Sequence, residues 1–232
     1  MLYLVPTPIG NLKDITLRSL EVLKDVDGII CEDTRRTSLL LNHYQIKKIL
    51  LVLNDFNEAR VIESIIQQLK SGENLALVSD AGTPLISDPG YKLVRECIHQ
   101  GIPIDSLPGP SSVITALTLS GLPPDRFLFV GYPPEKSGRR LKWLEDLKKS
   151  DATIIMFISP HKLSTTLSNM NEVLGDINVV VAHELTKIHQ SVESKLISNW
   201  LETLTNPPVF DREAQTESAG GPKGEYILLF HL

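Results

Sequence analysis

The residues best suited to chemistry gather in short polar stretches, each lying directly behind an apolar run. The richest is Ser79 to Pro89, SDAGTPLISDP, where Ser79, Asp80, Thr83, Ser87 and Asp88 alternate with Gly82, Pro84 and Pro89. Only Leu85 and Ile86 there are apolar side chains larger than alanine. Such a composition presents main-chain N–H and C=O groups and short hydroxyls instead of filling a core, which suits wrapping a small polar molecule. Length points the same way, because connections in α/β units normally take about 2–6 residues and longer ones are more often functional. A second stretch, Leu107 to Ser112 (LPGPSS), places Ser111 and Ser112 at a helix start whose free N–H groups can receive an anion or a carboxylate. In a third, Glu32 to Thr37 (EDTRRT), every residue carries a charge or a hydroxyl, a pattern that equally suits acids at the positive end of a helix. Asn54, Asp55, Phe56 and Asn57 form a fourth.

Strands must position these stretches. Leu2–Val5, Gly28–Cys31, Lys48–Leu53, Leu75–Val78 and Ile102–Ser106 are short apolar runs, and Leu75–Val78 is unbroken enough for a strand buried on both faces. Helices are expected between them: Ile15 to Leu23 with Asp14 or Thr16 as its cap, a segment in which Val61, Ile62, Ile65, Ile66 and Leu69 recur at helical spacing, and one from Tyr91. Strands alternating with helices imply a parallel sheet with helices on both faces, right-handed crossovers and polar strand ends gathered on one rim, where open sheets of this kind bind ligands. After Pro108-Gly109-Pro110 the pattern changes, and the chain is divided into an N-terminal α/β domain, residues 1–112, and a C-terminal α/β domain, residues 113–232. The second half offers strands Phe127–Val130, Thr153–Ile158, Val179–Ala182 and Tyr226–Phe230, and helices Val113–Leu119, Arg139–Lys149, one from His161 and one near Val192–Leu204. Asn206 to Gly224, rich in Pro, Gly and polar residues, is expected to be a mobile loop.

Composition bounds the partners. With 232 residues, 42% of them hydrophobic, and a net charge of −5, the chain has a core but no global attraction to a phosphate backbone. An RNA role therefore needs a local patch, for which Arg139, Arg140, Lys142, Lys148 and Lys149 are candidates. Cys31 and Cys97 both lie in apolar patterns and read as small buried hydrophobes, which fits a reducing cytoplasm. The start, MLYLVPTPIGN, reads as a strand and not a signal peptide, and no apolar run reaches the roughly 18 residues of a membrane span. There is no dinucleotide G-x-G-x-x-G, no P-loop, no H-E-x-x-H and no paired C-x-x-C, and the six histidines show no ligand spacing, so no metal is expected.

Eight motifs fall in one family's order: VPTPIGN (Val5–Asn11), EDTR (Glu32–Arg35), LVSDAGTPLISDPGY (Leu77–Tyr91), LPGPSS (Leu107–Ser112), the Gly121–Pro134 stretch ending FLFVGYPP, KSGRR (Lys136–Arg140), ELTK (Glu184–Lys187) and KGEYILL (Lys223–Leu229). In these the chain resembles, from end to end, the rRNA-methylating branch of the tetrapyrrole methylases, the class III group of S-adenosylmethionine-dependent enzymes. The resemblance implies an N-terminal parallel sheet, a C-terminal mixed sheet, S-adenosyl-L-methionine in the cleft between the domains, and a homodimer. It also implies the acceptor, the ribose 2′-hydroxyl of a cytidine in the decoding region of 16S rRNA in the small ribosomal subunit. By the same resemblance Pro8, Ile9, Asp80, Ala81, Gly82, Thr83, Ser111, Ser112, Phe157, Ile158, Gly224 and Glu225 bind the cofactor. A ribose hydroxyl attacks only after losing its proton, so a base or a positive group at the developing alkoxide is needed. Glu32, Asp33, Asp55 and Glu184 are candidate bases, with Arg35 and Lys187 as electrostatic partners. The chain departs from the family at Asn54–Phe56, at Ile158–Lys162, at His183 and at Gln190, and it stops at Leu232 without the small C-terminal domain of many relatives. Two rivals remain: a carbon methylase of a tetrapyrrole or corrinoid ring, and a cofactor-binding protein without turnover.

Overall fold

Residues 1–54, 56–205 and 224–232 are described by the structure, a computed structural model. Asp55, a candidate base, and most of the Asn206–Gly224 stretch lie outside the described residues. The described chain divides into two units, Met1–Ser112 and Val113–Leu232.

In the first unit the strands β1 (Leu2–Val5), β2 (Gly28–Cys31), β3 (Ile49–Val52), β4 (Leu75–Val78) and β5 (Ile104–Ser106) form one parallel sheet in the order β3-β2-β4-β1-β5. Every residue of β2 and β4 is buried, as continuous apolar runs between two helical layers require. Alternation along the strands sends their side chains to two separate cores. Leu2, Leu4, Ile30, Leu75 and Leu77 pack with α3 (Glu58–Lys70) and α4 (Tyr91–His99). Val5, Ile29, Cys31, Ala76 and Val78 pack with α1 (Leu17–Asp25) and α2 (Thr34–His43). Each such fully buried aliphatic side chain contributes about 1.5–3 kcal/mol. The two cysteines are free and buried.

This distribution of helices fixes where a ligand can enter. The chain leaves β1 towards β2 through α1 on one face, and leaves the adjacent β4 towards β5 through α4 on the other. The connections part at the carboxyl ends of β1 and β4, so a crevice opens there, at the topological switch point of the sheet.

The second unit begins with α5 (Ser112–Ser120 by its helical bounds) and builds a mixed sheet, β6-β7-β10-β8-β9. Its strands are β6 (Phe127–Phe129), β7 (Thr153–Ile158), β8 (Asn178–His183), β9 (Ser191–Leu196) and β10 (Tyr226–Phe230). Among the described strands, β6 pairs with β7 in parallel and the other neighbouring pairs are antiparallel. Helices α6 (Ser137–Leu147), α7 (Leu163–Leu174) and α8 (Ile197–Thr205) pack Leu144, Leu167, Met170 and Trp200 against Ile154, Met156, Val181 and Phe230. Thus two α/β units, one with a parallel and one with a mixed sheet, carry the fold class that the sequence implies.

Some boundaries differ. The expected helix Ile15–Leu23 begins two residues later, because a 3-10 turn at Leu12–Asp14 precedes it and Thr16 caps it through an Oγ1 that accepts from Ser19 N–H. The expected helix near Val192–Leu204 is half strand: β9 pairs with β8 in register Ala182↔Val192 before α8 starts at Ile197. The only apolar residues of SVESKL, Val192 and Leu196, lie four apart, a spacing that a helix shares. The expected basic patch is also corrected. Arg140 is 4% exposed, and Lys148 and Lys149 pair with Glu145 and Asp146 on their own helix.

Candidate functional site

At the end of β4 the chain turns back on itself. Gly82 forms an antiparallel bridge with Thr7, just past the end of β1, each donating its N–H to the other's carbonyl at 2.9 Å. Thr7 Oγ1 donates to the Ser79 carbonyl and Ser79 Oγ to the Gly82 carbonyl, both at 3.0 Å, and all three residues are buried. The bridge ties the two strand ends flanking the crevice into one rigid lip, leaving Asp80 and Ala81 at its turn. Gly82 sits at φ +88°, and a Cβ there would lie 3.3 Å from Ile9 Cγ2, so both backbone and space demand glycine. Thr83 Oγ1 donates to the Pro110 carbonyl at 2.9 Å, which fixes the LPGPSS turn beside the lip. The loop then runs through Leu85 (φ 74°) and Ser87 (φ 66°), left-handed conformations costly for residues with a Cβ and characteristic of binding loops.

The end of β2 supplies charge. Asp33 caps α2, its Oδ1 accepting from Arg35 N–H at 2.8 Å, and its carboxylate also holds the Arg35 side chain at 2.7 and 3.1 Å. These bonds hold its carboxyl down at about 2, so Asp33 is a poor proton acceptor and a good anchor for Arg35. Across from it, two residues past the end of β4, Asp80 has one oxygen 3.4 Å from Arg36 Nε, while the other, Oδ1, is buried and accepts no hydrogen bond from any described residue. Burial pushes the Asp80 carboxyl up, against the pull of Arg36 and of the Asp33 main-chain N–H on the carboxylate. Asp88 is pushed up to about 6, chiefly by burial and then by the charges of Glu32 and Asp80. Among the described residues no group of three His, Cys, Asp or Glu side chains is arranged to hold a metal ion.

The Asp88 carboxyl gives a direct prediction. Its folded pKa lies above the ordinary 3.8, so the folded state holds the proton more tightly and stability falls as pH rises from about 4 through 6. Asp88→Asn removes that loss. Discounted for partial exposure to about 1 kcal/mol, it raises Tm at pH 7 by roughly 2–4 °C and flattens the stability profile between pH 4 and 6, as thermal melts across that range would read.

Pro8 and Ile9 are buried behind the Thr7 bridge, and Ala81, Thr83, Ser111 and Ser112 are half-buried. The first unit therefore collects Pro8, Ile9, Glu32, Asp33, Arg35, Asp80–Thr83, Ser111 and Ser112 at the carboxyl ends of its strands. Nothing in the sequence marks Arg36 or Thr7 individually. Asp88 stands out by residue type alone; its raised pKa comes from burial first and then from Glu32, both products of the fold.

The second unit collects another group. Lys187 Nζ lies 2.9 Å from Glu184 Oε1 and 3.2 Å from Glu225 Oε2, and Glu225 N–H donates to the same Glu184 oxygen at 2.9 Å. Burial raises Glu184, but the Lys187 bond and the Glu225 N–H outweigh it and the net shift is downward. Glu184 itself is at φ 50°. Gly224 lies against them: a Cβ there would come within 2.5 Å of His183 Nε2. On β7, the Ile158 side chain points into the helical core at 3% exposure while Phe157 faces the opposite side.

The profile of the tetrapyrrole (corrin/porphyrin) methylases matches residues 1–199. A Thermotoga maritima protein named ribosomal RNA small subunit methyltransferase I is 50% identical over 189 residues, 82% of this chain and 85% of its own. An Escherichia coli O157:H7 protein of the same name is 47% identical over 230 residues, covering 98% and 76%. Among solved structures, the uroporphyrin-III-C-methyltransferase of Thermus thermophilus superposes with a TM-score of 0.64 at 18% identity, over 98% of this chain and 93% of that one, a likeness of fold. The eight motifs, the two-sheet architecture and a match over most of the length agree: the chain belongs to the tetrapyrrole methylase family.

Proposed function

We propose that this chain transfers a methyl group from S-adenosyl-L-methionine to the ribose 2′-hydroxyl of a cytidine in the decoding region of 16S rRNA. The observation that carries the reading is identity of 43–50% over most of the chain to relatives named ribosomal RNA small subunit methyltransferase I. S-adenosyl-L-methionine is the methyl donor of the family and supplies an electrophilic carbon on a sulfonium.

The residues present fit that donor. Its amino and hydroxyl groups need acceptors, and the buried Asp80 Oδ1, without a partner among the described residues, is one, beside the carbonyls of the 79–83 turn. Its carboxylate needs N–H donors, which Ser111 and Ser112 at the start of α5 supply. Pro8, Ile9, Ala81, Gly82 and Thr83 shape the lip, and Phe157, Ile158, Gly224 and Glu225 complete the assignment. Methyl transfer is an in-line displacement, so the chain's main task is to hold donor carbon and acceptor oxygen at roughly 3–3.5 Å. We assign proton removal from the hydroxyl to Glu32, Arg35 with its anchor Asp33 to acceptor binding, and Lys187, oriented by Glu184, to the developing alkoxide.

A homodimer and a cytoplasmic location belong to the same reading. No described helix is long and apolar enough to cross a membrane. The test incubates the protein and methyl-labelled donor with small subunits lacking the modification, free rRNA and a corrinoid precursor. Label on the small subunits supports the reading; label on the corrinoid alone defeats it.

A further inference from the structure

The second unit carries an aromatic surface outside its helical core. Ile154, Met156 and Ile158 of β7 face the helices, so Phe157 points to the opposite side, where Phe129 of β6 meets it edge-on at 4.8 Å between ring centroids. Tyr132, in the loop that leaves β6, leans on the same Phe157 ring at 5.5 Å and 59°. Two phenylalanines thus back a tyrosine that stays 61% exposed.

That loop is held from below. Arg140, 4% exposed, donates from Nη1 to the carbonyls of Pro134 and Glu135 at 3.1 and 3.0 Å and from Nε to Asn169 Oδ1 at 2.8 Å. Burying a guanidinium is expensive, and here its donors go to the main chain of the loop and to α7, which fixes the path between Tyr132 and α6. Lys136 is the extended residue just before α6, and Arg139 and Lys142, three residues apart, take neighbouring positions on one side of the helix. All three are exposed, and none pairs with a carboxylate among the described residues, whereas Lys148 and Lys149 further along are neutralised. A chain of net charge −5 concentrates unpaired positive charge beside an exposed, rigidly backed ring.

We propose that Tyr132 stacks on a nucleobase of the RNA acceptor while Lys136 and Arg139 neutralise phosphates of the same strand. The proposal rests on the reading of the chain as an RNA methyltransferase and names the surface that binds the acceptor. Aromatic faces accept any base by stacking, and cations along a helix track a backbone, the two elements by which single-stranded nucleic acid is held.

The test uses the full chain, S-adenosyl-L-methionine and unmodified small ribosomal subunits. Tyr132→Ala raises the KM for subunits roughly 5- to 150-fold, the worth of one stacked base, with donor affinity unchanged, and Tyr132→Phe restores it. Lys136→Ala with Arg139→Ala reduces the slope of log affinity against log salt by about 1.4. An unchanged KM in Tyr132→Ala, or a loss of donor affinity in its place, overturns the surface. If the unmodified protein methylates subunits and Tyr132→Ala does so at the same KM, only this surface fails; if the unmodified protein methylates no RNA, the parent reading fails with it.

Discussion

Asp80→Ala is expected to weaken S-adenosyl-L-methionine binding about 10- to 150-fold without lowering Tm. The carboxylate sits at the turn between two bridged strand ends, with one oxygen near Arg36 and the other buried and unpartnered among the described residues. An unpaired buried acceptor is a standing cost to the folded protein, and burial already pushes the Asp80 pKa up. A ligand donor at that oxygen removes the cost, and a hydrogen bond to a charged group is worth about 1.5–3 kcal/mol, which sets the expected loss. In the free protein the substitution relieves the same desolvation, so Tm holds or rises. Titration calorimetry with donor and thermal melts together read both halves. Equal affinity in Asp80→Ala and the unmodified protein would show that the lip does not hold the donor.

The second large effect is on turnover. Lys187→Ala should cut kcat on small ribosomal subunits by about 10²–10³, the usual loss on removing one group that stabilises developing negative charge, while donor affinity stays within about twofold. Lys187 is lodged between Glu184 and Glu225, and the two carboxylates outweigh burial and raise its pKa, so it stays charged across neutral pH. Its side chain remains 31% exposed, and an ion pair that reaches solvent contributes at most about 1 kcal/mol to stability. A variant with normal kcat and a lower Tm would assign the lysine to holding the 184–187 turn instead. Lys187→Arg keeps the charge and separates the two roles.

Much of the first unit was legible because its signals are local. Leu75–Val78 is an unbroken apolar run that suits a strand buried on both faces, and in a parallel sheet the polar residues behind it fall on the carboxyl rim. The Thr16 cap was legible for the same reason. What escaped depends on contacts between distant residues. The Thr7–Gly82 bridge joins positions 75 apart in sequence, and no spacing rule announces it. Arg140 sits in a run that reads as an exposed basic patch, yet Asn169 and two loop carbonyls draw it inside. Strand β9 was hidden because its two apolar residues, Val192 and Leu196, stand at helical spacing and it runs straight into α8, so that one helical window covers both.

The central claim is that a donor held on this rim gives its methyl group to a ribose hydroxyl of small-subunit rRNA. It is tested most directly by digesting subunits labelled by the protein and weighing the fragments. A single added methyl on the ribose of one decoding-region cytidine is predicted. A methyl on a base, or subunits that emerge unmodified while the donor binds, would contradict it.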